Sequence, residues 1–149
     1  MISAFIQGPI NSSIYISQPE GFEDSNNPDY VLKLNKALYS LKQSTRIWYY
    51  TLKEVLVNKL GFITLNSDNC IYINKKSNMI ICLYVDDLAL IAPSLDIINT
   101  FITQIKEYFN IKDLGLIKDY LGIDIDLNLK EGYIKLSQSK YIEKVLVKY

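Results

Sequence analysis

Hydrophobic and polar residues follow two periods along this chain. Short apolar or alternating runs, bounded by turn-forming residues, predict β-strands. A polar turn at 75–78 joins two of them into a hairpin, and a turn-rich surface loop separates the first two. The expected strands are 14–17, 30–34, 70–74, 79–85, 88–92, 119–127 and 133–137.

Apolar residues at helical spacing predict three helices. The first runs from Ser44 to Leu60 and is ended by Gly61. The second is capped by Ser94 and keeps its apolar stripe as far as Phe109. The third begins after Ser137 and reaches the end of the sequence. Antiparallel hairpins between helices predict an α+β fold, a sheet with helices packed on one face.

Composition narrows the classes of function. The 149 residues, 49% of them hydrophobic, are enough for one domain with a real core. Sixteen basic and sixteen acidic residues cancel, so nucleic-acid binding requires a local basic patch. There is no histidine, which removes the commonest general base and zinc ligand. Cys70 and Cys82 have no metal-binding spacing and are expected to be reduced, intracellular thiols. No membrane span or secretory signal is expected.

The stretch "MIICLYVDDLALIAP", residues 79–93, places two adjacent carboxylates inside an apolar run. One interpretation is a two-residue hairpin turn with solvated acids, but such turns prefer glycine and none is present. The flanking strands are also apolar on both faces, which is typical of a sheet covered by helices. The other interpretation is a divalent cation that neutralises Asp86 and Asp87, since Mg²⁺ prefers carboxylate oxygens. The residues alone leave both open.

A local basic patch lies between Val31 and Lys53, where the sequence contains no acidic residue. Interleaved basic and aromatic residues suit a template–primer track, with phosphate contacts and stacked bases. A solvated helix face above a buried aromatic stripe explains the pattern equally well. The residues concerned are Lys33, Lys36, Tyr39, Lys42, Arg46, Trp48, Tyr49, Tyr50 and Lys53.

Five blocks resemble, in order, the reverse transcriptase of copia-type long-terminal-repeat retrotransposons. "LYVDDLAL" is similar to the Tyr-x-Asp-Asp signature of reverse transcriptases. The other blocks are "SAFIQGPINSSIYISQPEGFE", "VLKLNKALYSLKQSTRIWY", "IKDLGLIKDYLGIDI" and "LSQSKYIEKVL". Together they cover about residues 2–147.

The resemblance implies a right-hand polymerase palm that transfers nucleotides by two-metal catalysis. Asp86 matches the metal-binding aspartate, Asp87 a supporting carboxylate, and Tyr84 a residue near the primer end. The implied cofactor is Mg²⁺, with Mn²⁺ as the alternative. The implied partners are deoxynucleotides and an RNA or DNA template with its primer. In the family the domain belongs to a polyprotein with protease, integrase and RNase H, in the cytoplasm (in virus-like particles) or the nucleus.

Further site residues carry over from the matching blocks. Ala4 and Phe5 fall where the family contacts the incoming nucleotide, with an aromatic ring beneath the sugar; Phe5 is equally a plain core residue. Gln43 belongs to a block lining the nucleotide and template pocket, written Leu-Tyr-Gly-Leu-Lys-Gln-x-Pro-Arg. At the positions of the family's glycine and proline, this chain has Ser40 and Thr45. The implied nucleic-acid contacts are Lys42, Arg46, Leu121 and Gly122; Asp124 and Asp126 are interpreted as a solvated strand face.

The first block lacks one expected residue. The family pattern Asp-Val-x-x-Ala-Phe-Leu-x-Gly places its leading aspartate, the third catalytic carboxylate, one residue before Met1. The fingers region upstream is missing too, so residues 1–149 are expected to be a single partial reverse transcriptase domain, from a truncated copy, a decayed copy or a late start. Such a chain is expected not to extend a primer. The alternative is a non-catalytic remnant that at most binds nucleic acid weakly or a partner.

Overall fold

The computed structural model describes residues 4–10, 12–39 and 41–149, so the expectations that concern Met1–Ser3 and Ser40 fall outside it. The fold is α+β with antiparallel sheets, as expected. The chain divides into two compact units, Met1–Ile111 and Lys112–Tyr149. The elements are β1 (Tyr15–Ser17), β2 (Val31–Lys33), α1 (Ser44–Glu54), β3 (Ile63–Thr64), β4 (Ile71–Asn74), β5 (Met79–Tyr84), β6 (Asp87–Ile91), α2 (Leu95–Lys106), β7 (Asp119–Tyr120), β8 (Ile123–Asn128), β9 (Tyr133–Ser137) and α3 (Ser139–Lys148).

The first unit is built on a four-stranded antiparallel sheet in the order β3-β4-β5-β6. Alternate residues of β5 are buried, because successive side chains of a strand point to opposite faces. Met79, Ile81 and Leu83 join Tyr72 of β4 in the core. The opposite face is only partly covered, with Ile91 55% exposed. The sheet therefore buries one face more completely than the other.

Both helices of this unit contribute to that same core. Trp48 and Leu52 of α1, with Phe101 and Ile105 of α2, belong to one buried cluster with the sheet residues. The expected stripe of α2 therefore packs as predicted, although Leu95 at its start is exposed. Ser94 occupies the N-cap position in extended conformation, without a side-chain capping bond.

The first helix covers the expected range, but its last part is a π-helix and not an α-helix. After Glu54 it continues as a π-helical turn, Val55–Lys59. The amide of Leu60 donates to the carbonyl of Val55 at 3.0 Å, and Gly61 then adopts φ +72°, as a helix-ending glycine does. The wider turn keeps both Val55 and Leu56 buried.

The second unit is a three-stranded sheet, β7-β8-β9, followed by α3. The expected single strand at 119–127 is wrong. Leu121 and Gly122, with φ +53° and +78°, form a tight turn that folds β7 back on β8. Positive φ at both loop residues is the geometry of a type I′ hairpin. Ser137 ends β9, so Gln138, and not Ser137, precedes the last helix.

The two short strands near the start of the chain lie where the sequence predicted them. Strands β1 and β2 pair antiparallel around the loop 18–29, which is mostly exposed. Cys70 and Cys82 are not joined in a disulfide. Within the described ranges, no helix is long and apolar enough to cross a bilayer.

Candidate active site

The two adjacent aspartates lie at the tip of the β5–β6 hairpin. Tyr84 pairs with Asp87, which leaves Val85 and Asp86 as a two-residue loop. Val85 has φ +51°, and Asp86 is not among the residues with positive φ. Positive φ at the first loop position alone is the requirement of a type II′ turn, where glycine is usual. The hairpin is thus tight without glycine, and its loop residues are Val85-Asp86, not Asp86-Asp87.

Two aromatic side chains hold this turn. The indole Nε1–H of Trp48, in α1, donates to the carbonyl of Val85 at 2.9 Å. The hydroxyl of Tyr39 donates to Oδ2 of Asp86 at 3.0 Å. Burial, together with the neighbouring Asp86 carboxylate, raises the pKa of Tyr39, so its hydroxyl keeps its proton at neutral pH. The turn is therefore attached to the helix and to the segment before it, 47 residues away in sequence.

The Asp86 side chain connects through Tyr39 to the start of the chain. The rings of Tyr39 and Phe5 meet edge to face, with centroids 4.7 Å apart. The Ala4 backbone also forms a hydrogen bond with Tyr39. Ala4 and Phe5 themselves are buried, with exposed fractions of 0% and 8%. The structure thus brings Ala4, Phe5 and Asp86 into one cluster, in which Phe5 is packed as a core residue.

Asp86 and Asp87 differ in their surroundings. Asp86 is half-buried and its Oδ1 atom is buried, whereas Asp87 is exposed at the start of β6. Tyr84 is 55% exposed at the end of β5, beside Asp87 in the hairpin register. A tip with one sheltered and one open carboxylate is accessible from solvent.

The two carboxylates are the type of ligand that a hard cation prefers. Magnesium takes carboxylate oxygens and completes its shell with water and phosphate oxygens. No group of three histidine, cysteine, aspartate or glutamate side chains able to hold a metal is found in the described part of the chain. Asp86 and Asp87 therefore fit Mg²⁺ or Mn²⁺ as two of its ligands, and the remaining ligands must come from elsewhere.

The residues of the basic patch on α1 differ in burial. Trp48 is buried, 1% exposed, and serves the turn. Arg46 and Tyr50 are exposed, whereas Tyr49 and Lys53 are half-buried. Arg46 stands over the ring of Tyr50 and Lys53 over that of Tyr49, each at 5.7 Å. We call these four residues the basic face. The pattern combines a buried aromatic, Trp48, with one exposed and one half-buried basic–aromatic pair.

The other residues of this block lie just before the helix. Lys42 is exposed, and Gln43 occupies the N-cap position without a side-chain capping bond. Thr45, at the family's proline position, is exposed in the first turn of the helix. A residue other than proline is well tolerated there, because proline mainly presets φ at a helix start.

The remaining predicted contacts are in the second unit. Leu121 and Gly122 form the β7–β8 turn, and a Cβ added at Gly122 would meet nothing within 4 Å. Its glycine therefore serves the positive φ within this chain. Asp124 forms an ion pair with Lys140, whereas Asp126 is exposed. The solvated-face interpretation suits Asp126 but only partly describes Asp124.

Sequence reasoning missed two functional connections, both made by aromatic residues. Tyr39 and Trp48 were noted only as part of the basic–aromatic pattern, yet they hold Asp86 and Val85. Neither is near the turn in sequence, so no local signal could have linked them to it.

Comparison with known proteins identifies the family. The family model described as "Reverse transcriptase (RNA-dependent DNA polymerase)" matches residues 1–149. The chain is 35% identical over 150 residues to the Retrovirus-related Pol polyprotein from transposon TNT 1-94 of Nicotiana tabacum, covering 99% of this chain and 11% of that protein.

Two further relatives agree. Identity is 34% to the Pol polyprotein from transposon RE1 of Arabidopsis thaliana, over 98% of this chain and 10% of that protein. Identity is also 34% to the putative transposon Ty5-1 protein of Saccharomyces cerevisiae, over 95% of this chain and 46% of that protein. The chain thus spans about a tenth of the plant polyproteins. No solved structure matches it significantly. This chain belongs to the reverse transcriptase (RNA-dependent DNA polymerase) family, in the form found in copia-type retrotransposons.

Proposed function

We propose that this chain is the palm portion of an RNA-directed DNA polymerase, with Asp86 and Asp87 as two carboxylates of its nucleotidyl-transfer site. The observation that carries the proposal is the construction of the Tyr-Val-Asp-Asp tip. Its backbone is held by Trp48 and its first aspartate by Tyr39. A tight, doubly attached turn presents these carboxylates in fixed positions, as positioning of reacting groups requires.

Each residue of the proposed site would have a separate role. Asp86 and Asp87 would hold the divalent metal that reverse transcriptases generally use. Such a cation, Mg²⁺ or Mn²⁺, supplies charge stabilisation to the attacking and leaving oxygens of an in-line displacement. Tyr84, exposed beside Asp87, would contact the primer end. Ala4 and Phe5, joined to Asp86 through Tyr39, would form the floor beneath the nucleotide sugar, with Gln43 at the pocket edge.

The nucleic acid would lie along the basic face and its neighbours. Lys42 and Arg46 are exposed and would contact phosphates of the template–primer. Tyr50, 55% exposed beside Arg46, offers a ring for stacking. Leu121 and Gly122 form a tight hairpin tip that would meet the primer strand.

A non-catalytic remnant is the second candidate. It would apply if Asp86 and Asp87 were the whole ligand set of the cation. Two carboxylates place a catalytic cation poorly, and electrostatic stabilisation of this kind is worth about 3–4 kcal/mol per group. We therefore expect the 149 residues alone not to extend a primer.

Primer extension tests both candidates. The 149 residues are compared with the same chain joined to an upstream reverse transcriptase segment that ends in aspartate directly before Met1. We expect deoxynucleotide incorporation from the joined protein alone. Asp86→Asn in that protein should lower the rate by at least about a thousandfold, while Asp126→Asn, a matched change at an exposed carboxylate, should leave it unchanged.

Either of two results would contradict the proposal. Extension by the 149 residues that is insensitive to Asp86→Asn would refute the site assignment. A folded joined protein that never incorporates nucleotides would favour the remnant.

A further inference from the structure

The Tyr39 hydroxyl is hydrogen-bonded to the Asp86 carboxylate that we assign to the metal site. It donates to Oδ2 of Asp86 at 3.0 Å, and Oδ1 of the same carboxylate is buried. A carboxylate oxygen that accepts a hydrogen bond along a lone pair cannot offer that lone pair to a metal. In this structure, therefore, the half-buried aspartate does not present Oδ2 freely to a cation.

The Tyr39 side chain is free to leave, whereas its backbone is fixed. The residue is 48% exposed, so part of its side chain already contacts solvent. On its N-terminal side, the Leu38 carbonyl accepts hydrogen bonds from the Ser44 hydroxyl and the Leu41 amide. Its ring contacts Phe5 only edge to face. A side chain held at its tip by polar bonds to Asp86 and the Ala4 backbone, and anchored at its base, can swing without unfolding the site.

We propose that Tyr39 is a positioning residue that latches Asp86: its hydroxyl orients the carboxylate and competes with a divalent cation for a lone pair of Oδ2. The inference rests on the proposed function, because it takes Asp86 as a metal ligand. It adds a residue outside the Tyr-Val-Asp-Asp tip to those that set the cation affinity of the site. Cation affinity is then reduced by the free energy of the bond that must be broken.

Cation binding measures the latch directly. Mn²⁺ binding to the 149-residue chain is followed by the electron paramagnetic resonance signal of free Mn²⁺, in four proteins: the unchanged chain, Tyr39→Phe, Asp86→Asn and the double variant. We expect weak binding to the unchanged chain and about tenfold tighter binding to Tyr39→Phe, a change that corresponds to about 1.4 kcal/mol. Asp86→Asn should remove the site in both backgrounds. Tyr15→Phe, at a tyrosine 56% exposed in β1, is the matched control and should change nothing.

A spectroscopic readout separates a latch from a purely structural role. Tyrosine labelled with ¹³C at Cζ reports the hydroxyl's hydrogen bond, and the Tyr39 signal is assigned from its loss in Tyr39→Phe. Adding diamagnetic Mg²⁺ should shift that signal in the unchanged chain and not in Asp86→Asn. Circular dichroism confirms that each variant is folded.

The outcomes distinguish the two proposals. Binding equal to or weaker than that of the unchanged chain in Tyr39→Phe, still abolished by Asp86→Asn, overturns the latch and leaves the metal site standing. Binding that Asp86→Asn does not alter in either background overturns the metal site and the latch together.

Discussion

At the residue scale, the tip of the β5–β6 hairpin contains one residue in an unfavourable conformation. Val85 is β-branched and sits at φ +51°, a region that costs a non-glycine residue about 1–2 kcal/mol. The indole of Trp48 offsets part of that cost by bonding the Val85 carbonyl. Strain held in place by surrounding contacts is common at functional sites.

Alanine is usually more stabilising than glycine, but at Val85 we expect the opposite order of stability. Because glycine adopts positive φ without a steric penalty, we expect Val85→Gly to be more stable than Val85→Ala by about 1 kcal/mol. Urea denaturation of the two variants measures the difference. Alanine equal to or better than glycine would show that Val85 does not adopt positive φ in solution.

A second residue-scale prediction concerns the buried hydroxyl of Tyr72. The residue is 0% exposed, and its hydroxyl makes no hydrogen bond within the described ranges. Burial, followed by the neighbouring Tyr49, raises the pKa of Tyr72. A raised pKa favours the protonated form in the folded state. Stability is therefore fully present below about pH 10, the ordinary tyrosine value, and is lost as the pH rises above it.

We expect Tyr72→Phe to be neutral or stabilising by up to about 1 kcal/mol at pH 8, because it removes an unsatisfied buried group. Above pH 10 its advantage should grow. Urea unfolding at both pH values tests this, with Tyr15→Phe as the exposed control. A destabilised variant whose deficit is the same at both pH values would contradict the prediction.

At the element scale, α1 carries both the residue that fixes the turn and the basic face. Trp48 is buried and fixes the turn that carries Asp86. The basic face has Arg46–Tyr50 and Lys53–Tyr49 each spaced four residues apart. The helix is thus a rigid element shared by the carboxylate tip and the surface that we assign to nucleic acid.

Phosphate contacts on this helix predict salt-dependent binding. A chain with 16 basic and 16 acidic residues has no general attraction for nucleic acid, so affinity should depend on the local patch. We expect weak binding to a primer–template that falls steeply with salt. Changing Lys42 and Arg46 together to alanine should lower the log–log salt slope by about 1–2.

Fluorescence anisotropy at several salt concentrations measures that slope. The matched control changes Lys75 and Lys76, two exposed lysines of the β4–β5 turn, to alanine and should keep it. Equal losses in both double variants would mean that binding is spread over the surface and is not centred on α1.

At the scale of the whole molecule, the two units differ in how much they bury. The first contains the hydrophobic cluster formed by the sheet with α1 and α2. Residues 112–149 include no buried residue, and α3 exposes Val147 and Leu146 by 90% and 72%. Since buried apolar area is the main source of stability, the second unit should be the weaker.

Hydrogen exchange should separate the units. We expect amides of β8 and β9 to exchange well before those of β4 and β5, because regions with few buried contacts open at lower free energy. Mass spectrometry of peptides from both sheets after timed deuteration provides the measurement. Equal protection in the two sheets would show that they open as one cooperative unit.

Much of this protein could be predicted from the sequence, for local reasons. Residue periodicity and turn chemistry predicted the three helices, the β4–β5 hairpin and the glycine that ends the first helix. Ordered motifs predicted the family that the comparisons confirm. Where local signals competed, prediction failed: the alternating run at 119–127 obscured the Leu121–Gly122 turn, whose positive φ angles override the strand pattern.

The sequence by itself determined the chemistry: two carboxylates on a strand-flanked tip, basic residues without acids between them, and no histidine. Only the tertiary structure decided how that chemistry is held. Tyr39 reaches Asp86 from 47 residues away and Trp48 reaches Val85 from 37. Hydrophobic periodicity shows which side of an element faces the core, because each buried position favours an apolar residue independently of the others. It does not record which distant donor meets which acceptor, because that pairing depends on how α1 and the segment before it pack against the sheet.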